Sequence, residues 1–84
     1  MADVVIYTTP ICPYCVRAKS LLKQKGVAWT EIDVSRDDNE RMALMQRTKQ
    51  RTVPQIFING QHVGGSDDLY ALERAGKLDA LLAG

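Results

Sequence analysis

The first third of the chain carries two apolar segments with strand-like spacing and a segment with helical spacing between them. Val4–Thr8 is a β-branched and aromatic run, which is typical of a short buried strand. Apolar residues in Pro13–Lys25 recur at helical spacing, and Gly26 is a natural C-terminal stop. Ala28–Val34 alternates apolar and polar residues, as a half-covered strand does. Because strand–helix–strand crossovers are right-handed, these segments predict two parallel strands joined by a helix.

A second helix is predicted in the middle of the chain. Asp38 or Asn39 can cap this helix, which continues to about Arg47. Its apolar face is expected to bury Met42 and Met45.

The strongest short-range signal is a hairpin. Gln55–Asn59 and Gln61–Gly64 predict two brief strands around the Asn59-Gly60 pair, which favours a tight antiparallel turn. Beyond it, Ser66 or Asp67 can cap a helix, and Gly76 separates that helix from a last amphipathic turn. The pattern therefore predicts an α/β domain with a four-stranded mixed sheet flanked by three to four helices.

Composition narrows the choice of function. The chain has 84 residues, of which 45% are hydrophobic and 25% charged, so we expect residues 1–84 to form a single globular domain. A net charge of +1 argues against nucleic acid as a partner. The apolar run Val4–Tyr7 is too short for a signal peptide or a membrane span. We therefore expect a cytoplasmic protein whose cysteines work in a reducing compartment.

The candidate chemistry lies in Cys12-Pro13-Tyr14-Cys15, where the first strand passes into the first helix. Pro13 suits the first helical turn, so Cys12 falls at the N-cap beside backbone N–H groups that lack intrahelical acceptors. These donors favour a thiolate and are expected to lower the pKa of Cys12 from the usual value near 8.5. Cys15 lies one helical step away, within reach of a disulfide, and is expected to be more buried. A Cys-x-x-Cys pair beside a strand–helix–strand unit predicts thiol–disulfide chemistry.

Other interpretations of these residues stay open. The cysteines could be a structural pair or half of a zinc site, which would need a dimer because His62 is the only other soft ligand. His62 itself is expected to be a surface strand residue. Tyr14 is expected to point outward, either to pack or to form a flat wall for a substrate.

Thr52-Val53-Pro54 precedes the hairpin. Pro54 can simply start a strand. If the Val53–Pro54 bond is cis, the N–H and C=O of Val53 become exposed and can pair with an extended peptide.

The segment Gly64-Gly65-Ser66-Asp67-Asp68 forms a third motif. A glycine turn leading into a helix N-terminus can bind an anion, and the neighbouring carboxylates attract an ammonium group. Simple helix capping by Ser66 or Asp67 is the alternative.

In this order and spacing, the three motifs resemble the glutaredoxin family over essentially the whole chain, from Val4 to Leu82. The resemblance implies a thioredoxin-like fold, a cis Pro54, and glutathione as reductant and co-substrate without a metal. It places the cysteine of glutathione against Cys12, paired with the backbone of Val53. The implied glutathione contacts are Tyr14, Thr52, Val53, Pro54, Gly65, Ser66 and Asp67, with the γ-glutamyl carboxylate on the N–H groups of Ser66 and Asp67 and the Asp67 side chain near its ammonium.

Two positions depart from the family pattern. Thr9 stands where many relatives have a lysine three residues before the first cysteine, so one cation near the thiolate is absent. Arg51 or Lys49 is a candidate to compensate. Ser66 stands where similar proteins often have an extra cysteine.

The sequence thus predicts a monomeric, glutathione-dependent oxidoreductase that acts on protein disulfides and glutathionylated proteins. Cys12 attacks, and Cys15 resolves the mixed disulfide when the substrate is a protein disulfide. One alternative is a [2Fe–2S] carrier, which the stiffening by Pro13 disfavours. The other is a redoxin reduced by thioredoxin reductase, which would not need the Gly65–Asp68 segment.

Overall fold

The computed structural model describes residues 3–50 and 52–83. Four strands and four helices follow one another within these ranges. In chain order they are β1 (Val4–Thr8), α1 (Pro13–Gln24), β2 (Thr30–Asp33), α2 (Asp38–Thr48), β3 (Gln55–Ile58), β4 (Gln61–Gly64), α3 (Ser66–Arg74) and α4 (Leu78–Ala83). The strand order is β2-β1-β3-β4, with β1 and β2 parallel and the other neighbours antiparallel. The predicted mixed sheet with flanking helices is confirmed.

The two central strands divide the apolar side chains between the two faces of the sheet. One face packs against α1, α3 and α4, and its buried cluster comprises Val4, Ile6, Ala18, Leu21, Leu22, Ile56, Ile58, Leu69, Leu78 and Leu82. The opposite face carries Tyr7, Val34, Leu44 and Phe57 beneath α2. Because successive strand residues point to opposite faces, β1 and β3 are anchored on both sides and form a rigid base for the loops at their ends.

The turn between β3 and β4 has the conformation that its sequence predicts. Asn59 and Gly60 both have positive φ, at 54° and 80°. Such a pair of left-handed residues matches the twist of a two-residue hairpin, and asparagine and glycine adopt it most readily. The Asn59 side chain also accepts a hydrogen bond from the backbone N–H of Asp3 at 2.9 Å.

The prediction for α2 is wrong in its cap and its buried face. Asp37, one residue earlier than expected, caps the helix by accepting a hydrogen bond from the N–H of Glu40 at 3.1 Å. Leu44 and Thr48, four residues apart, face the sheet, whereas Met42 is 55% exposed and Met45 is half-buried. The helix docks through its C-terminal half, so the methionine nearer its start remains in solvent.

Strand β2 is shorter than the predicted segment Ala28–Val34 and lies at the edge of the sheet. Its Glu31 carboxylate accepts hydrogen bonds from Thr8 at 2.9 Å and from Lys19 at 3.2 Å. Desolvation opposes ionisation of Glu31, but these two donors outweigh it, and the pKa of the carboxyl is lowered. Glu31 thereby ties the end of β1 to α1, on either side of the cysteine motif.

Candidate active site

The cysteine motif lies where β1 passes into α1. Cys12 is the N-cap of α1 with extended backbone angles, and Pro13 occupies the first turn. The Sγ of Cys12 accepts a hydrogen bond from the N–H of Cys15 at 3.1 Å. The Cα atoms of the two cysteines are 5.2 Å apart, and their sulfur atoms form a disulfide in this structure. The predicted capping position and pairing of the cysteines are confirmed.

The two sulfurs differ in their access to solvent. Cys12 is 9% exposed and Cys15 only 1%, as the sequence predicts. Around Cys12, the side chains of Ile11, Tyr14 and Val16 are exposed. An incoming disulfide therefore meets Cys12 first, while Cys15 is placed to react only with a neighbour.

Electrostatics at this helix end favour a negative sulfur. The first turn of α1, which the structure describes completely, contains no acidic residue that would oppose an anion. The N–H of Cys15 points at the sulfur of Cys12, so a thiolate formed there gains a charge-assisted hydrogen bond in addition to the helix dipole.

The loop before β3 lies directly beside Cys12. The Val53–Pro54 peptide bond is cis, as the resemblance implies. The carbonyl oxygen of Val53 lies 3.6 Å from the Sγ of Cys12. Within residues 3–50 and 52–83, no backbone hydrogen bond engages the N–H or the C=O of Val53. An extended peptide can therefore pair with this residue next to the sulfur of Cys12.

An open groove of about 330 Å³ runs past this loop. Its lining residues come from α1, the segment before β3 and the start of α3, and they are Tyr14, Gln50, Thr52, Val53, Pro54, Gly65, Ser66, Asp67 and Asp68. All seven residues implied as glutathione contacts lie in this set. The structure brings these residues together although the chain separates them by up to about 50 positions.

The start of α3 is capped differently from the prediction. Gly65, rather than Ser66 or Asp67, is the N-cap, and the carboxylate of Asp68 accepts a hydrogen bond from its N–H at 3.1 Å. The N–H groups of Ser66 and Asp67 belong to the first turn, where intrahelical acceptors are lacking. The capping carboxylate comes from the third helical residue, so these two donors stay at the groove.

The hydroxyl of Ser66, at the start of α3, is buried beside the groove. Ser66 is 4% exposed, and its Oγ has no hydrogen-bond partner among the residues that the structure describes. A buried hydroxyl without a partner loses its hydration and gains nothing in return.

We expect Ser66→Ala to raise the free energy of unfolding by about 1 kcal/mol, because the substitution removes this unpartnered hydroxyl and keeps the backbone. Thermal unfolding followed by circular dichroism would show a midpoint higher by roughly 4–8 °C. A lower midpoint would mean that the hydroxyl has a partner in solution.

Of the two cations named as candidates to replace the absent lysine, the structure describes only Lys49. Arg51 lies outside the described residues. Lys49 is the C-cap of α2, is exposed, and lines a second cavity with Met42, Met45, Gln46 and Gln50. Gln50 thus borders both cavities.

Two further residues of this region, Gln50 and Gln55, escaped sequence analysis, and the prediction for a third needs correction. Gln50 lies two positions before the Thr52-Val53-Pro54 motif, and no periodicity distinguishes it. Gln55 is fully buried, although glutamine at a strand start predicts a surface side chain. The expectation of a surface His62 is wrong in part, because its ring is half-buried and hydrogen-bonded to Gln55.

Residues 3–50 and 52–83 contain no group of three or more His, Cys, Asp or Glu side chains that could hold a metal ion. A cysteine at a helix start, a more buried second cysteine and a cis-proline loop beside them are the arrangement of a thiol–disulfide oxidoreductase with a thioredoxin-like fold.

Comparison with known proteins identifies the family. The Glutaredoxin family model matches residues 4–63. The chain is 58% identical over 83 residues to a glutaredoxin of Pseudomonas aeruginosa, and the aligned residues make up 99% of each chain. It is 52% identical to glutaredoxin 3 of Escherichia coli, over 98% of this chain and 99% of the relative. The chain therefore belongs to the glutaredoxin family and is a glutathione-dependent thiol–disulfide oxidoreductase.

Solved structures agree with this assignment. The solution structure of glutaredoxin from Brucella melitensis is similar with a TM-score of 0.88 and 57% identity, covering 98% of this chain and 89% of the other. A buckwheat glutaredoxin–glutathione complex is similar with a TM-score of 0.91 and 36% identity, covering 98% and 77%. Fold and family thus agree.

Proposed function

We propose that Cys12 is the attacking sulfur, that Cys15 is the resolving sulfur, and that the groove beside them binds glutathione. The observation that carries the proposal is the position of Cys12, which caps α1, is the more exposed sulfur, and lies 3.6 Å from the carbonyl oxygen of Val53. A peptide thiol paired with Val53 therefore has its sulfur beside that of Cys12.

With a glutathionylated protein, the Cys12 thiolate attacks the sulfur of glutathione. A bond forms between these sulfurs, and the protein thiolate leaves and takes up a proton. The thiolate of a second glutathione then attacks the bound glutathione sulfur, which releases Cys12 and forms oxidised glutathione. The N–H of Cys15 and the start of α1 stabilise Cys12 as the leaving thiolate.

With a protein disulfide, Cys12 forms a mixed disulfide with the protein and releases the first protein thiol. Cys15 then attacks the sulfur of Cys12, forms the intramolecular disulfide and releases the second protein thiol. The Cα separation of 5.2 Å permits this bond without movement of the helix. Two glutathione molecules then reduce the Cys12–Cys15 disulfide and leave as oxidised glutathione.

In the groove, Tyr14 and Thr52 form the walls and Val53 pairs with the cysteine of the tripeptide. The γ-glutamyl carboxylate accepts hydrogen bonds from the N–H groups of Ser66 and Asp67. The Asp67 side chain, exposed at the groove, attracts the ammonium group. The buckwheat complex supports glutathione as a ligand of this fold.

Thiol–disulfide exchange with glutathione also determines the compartment and the partners that we propose. Residues 1–84 act as a single domain, as a monomer in the cytoplasm, where reducing conditions return the dithiol after each turnover. The described part of the chain contains no helix with the length and apolarity to cross a bilayer. The partners are glutathione and proteins with disulfides or glutathionylated cysteines.

Catalysis is proposed to need no metal. One similar structure concerns metal binding of glutaredoxins, yet we propose catalysis without a metal, because Pro13 stiffens the cysteine loop.

Mass spectrometry of the Cys15→Ser variant tests the proposal. After incubation with oxidised glutathione, we expect one glutathione on Cys12, removed again by reduced glutathione. Cystine offers the same disulfide without the tripeptide and is expected to label Cys12 more slowly, because it lacks the groove contacts. Absence of the adduct, or equal rates with both disulfides, would contradict the proposal.

A further inference from the structure

Helix α2 has an apolar side that does not pack into either buried cluster. Its buried residues, Leu44 and Thr48, face the sheet. A second row of residues, one helical turn apart, lies along another side of the helix and comprises Met42, Met45, Gln46 and Lys49. Met42 is 55% exposed, and neither methionine belongs to a buried cluster of the described residues.

This row lines the second cavity, which has a volume of about 380 Å³ and is open to solvent. The cavity continues the groove beside Cys12, because Gln50 lines both. Its other lining residues all come from α2 and its C-cap, whereas α3 lines only the groove. The second cavity therefore lies beyond the end of the groove that is remote from α3.

The apolar side chains at the surface indicate a polypeptide as the ligand of this region. The large hydrophobic residues that the described chain leaves exposed are Ile11, Tyr14, Val16 and Met42. The first three lie in or beside the cysteine motif, and Met42 lines the second cavity. A protein that forms a disulfide with Cys12 has its chain held against this surface by the covalent bond. An apolar surface that continues away from the reactive sulfur is typical of a binding site for such a chain.

The length of the ligand separates a protein substrate from glutathione. The row from Met42 to Lys49 is about 10 Å long, at ~1.5 Å per helical residue. An extended chain covers this length with about three residues. In the proposed binding mode the γ-glutamyl group lies at α3, so the chain that follows the cysteine leads away from α3 and toward the second cavity. Only glycine follows the cysteine of glutathione, so glutathione ends before the row, whereas a protein chain continues onto it.

We propose that the second cavity binds the segment of a protein substrate that follows its reactive cysteine, with an apolar side chain of that segment packed on Met42 and Met45. This docking surface rests on the proposed function, since the substrate cysteine must be bonded to Cys12. Methionine side chains are flexible and polarisable, so they accommodate apolar residues of different shapes. Lys49 is the one charged residue among the described residues that line the cavity, so the segment carries acidic rather than basic residues.

Peptides joined through their cysteine to thionitrobenzoate test the docking surface. The thiolate of Cys12 attacks the peptide sulfur, a disulfide forms between them, and the coloured thionitrobenzoate leaves, because it is the more acidic thiol. A long peptide carries a leucine about four residues after its cysteine, followed by a glutamate, and a short peptide ends one residue after the cysteine. We expect the long peptide to react about tenfold faster, because its leucine leaves water on Met42 and Met45. Equal rates would overturn the proposal.

Substitution of both methionines by glutamine, Met42→Gln with Met45→Gln, tests the cavity itself. Glutamine retains the length and helix propensity of methionine but is polar. The long peptide should lose most of its tenfold advantage, and the rates with the short peptide and with oxidised glutathione should stay unchanged. Ala43→Gln is the matched control, because Ala43 is exposed on the same helix and does not line the cavity. Equal losses with both peptides, or a similar loss in Ala43→Gln, would contradict the proposal.

If circular dichroism shows that the double variant loses helix, Met42→Gln alone provides the test, since its side chain is already exposed. We then expect a loss of about threefold with the long peptide only. A lysine in place of the glutamate of the long peptide should slow the reaction about twofold at low salt, because it faces Lys49. A faster reaction would contradict the expected preference for acidic residues.

Two further outcomes identify what has failed. A wild-type dimer in sedimentation that Met42→Gln dissociates would show that a second copy of this chain covers the cavity, and would overturn the proposal. If neither peptide nor oxidised glutathione reacts at Cys12, the proposed function itself is wrong. If the short peptide and oxidised glutathione react and the long peptide gains nothing, only the docking surface is wrong.

Discussion

Cys12→Ser is expected to lose both activities, the reduction of protein disulfides and the removal of glutathione from proteins. A serine hydroxyl at the N-cap still satisfies the start of α1, so the fold should persist. The serine hydroxyl is not ionised at neutral pH and does not form a bond to the sulfur of the substrate, so no mixed disulfide can form. Coupled assays with glutathione reductase and NADPH, with one substrate of each kind, measure the loss.

The matched variant is Cys15→Ser, which alters the buried sulfur and leaves Cys12 in place. We expect it to keep deglutathionylation, because a second glutathione releases Cys12, and to lose most protein-disulfide reduction, which needs the intramolecular step. Activity in Cys12→Ser would show that the attacking sulfur is wrongly assigned. Equal losses of both activities in Cys15→Ser would show that Cys15 does more than resolve.

Gly64→Ala, at the start of α3 beside the groove, is expected to lower the free energy of unfolding strongly. Gly64 has φ of 122°, a conformation that favours glycine, and a Cβ there would collide with the carboxylate of Asp68. That carboxylate caps α3 through the N–H of Gly65. Backbone strain and loss of the cap together should lower the free energy of unfolding by about 2–4 kcal/mol.

Thermal unfolding should show a midpoint lower by roughly 10–25 °C for Gly64→Ala. Gly60→Ala is the control, because Gly60 also has positive φ, 80°, but a Cβ there has no atom within 4 Å. It should lose only the conformational part, about 1–2 kcal/mol. If both variants unfold at the same midpoint, the collision with Asp68 is relieved at no cost and the cap is unimportant.

The sequence predicts the elements of this protein well where local chemistry is strong. The β-branched run of β1, the proline and glycine that bound the first helix, and the Asn59-Gly60 turn each act within a few residues, and all are confirmed. The same holds for Cys12 at the helix start, because an N-cap is a local feature.

Prediction is poorer where another element determines the outcome. The buried face of α2 depends on where that helix meets the sheet, so Met42 is exposed although its spacing fits an apolar stripe. The cap of α3 is a different case, because Asp68 within the same helix reaches back three residues to Gly65, a local contact that the sequence analysis missed. Burial of Gln55 depends on partners up to seven residues away in the chain.

The amino-acid pattern alone determined the reactive pair and the order of strands and helices, because helix starts, turns and apolar periodicity are properties of neighbouring residues. Only the tertiary structure decided that Tyr14, Val53 and Ser66 share one groove. It also decided that Gln50 and Gln55 connect this groove to His62. The groove joins segments far apart in the chain, whereas the contacts of Gln55 span five and seven residues. The geometry of both is set by how the elements pack together, which no local spacing specifies.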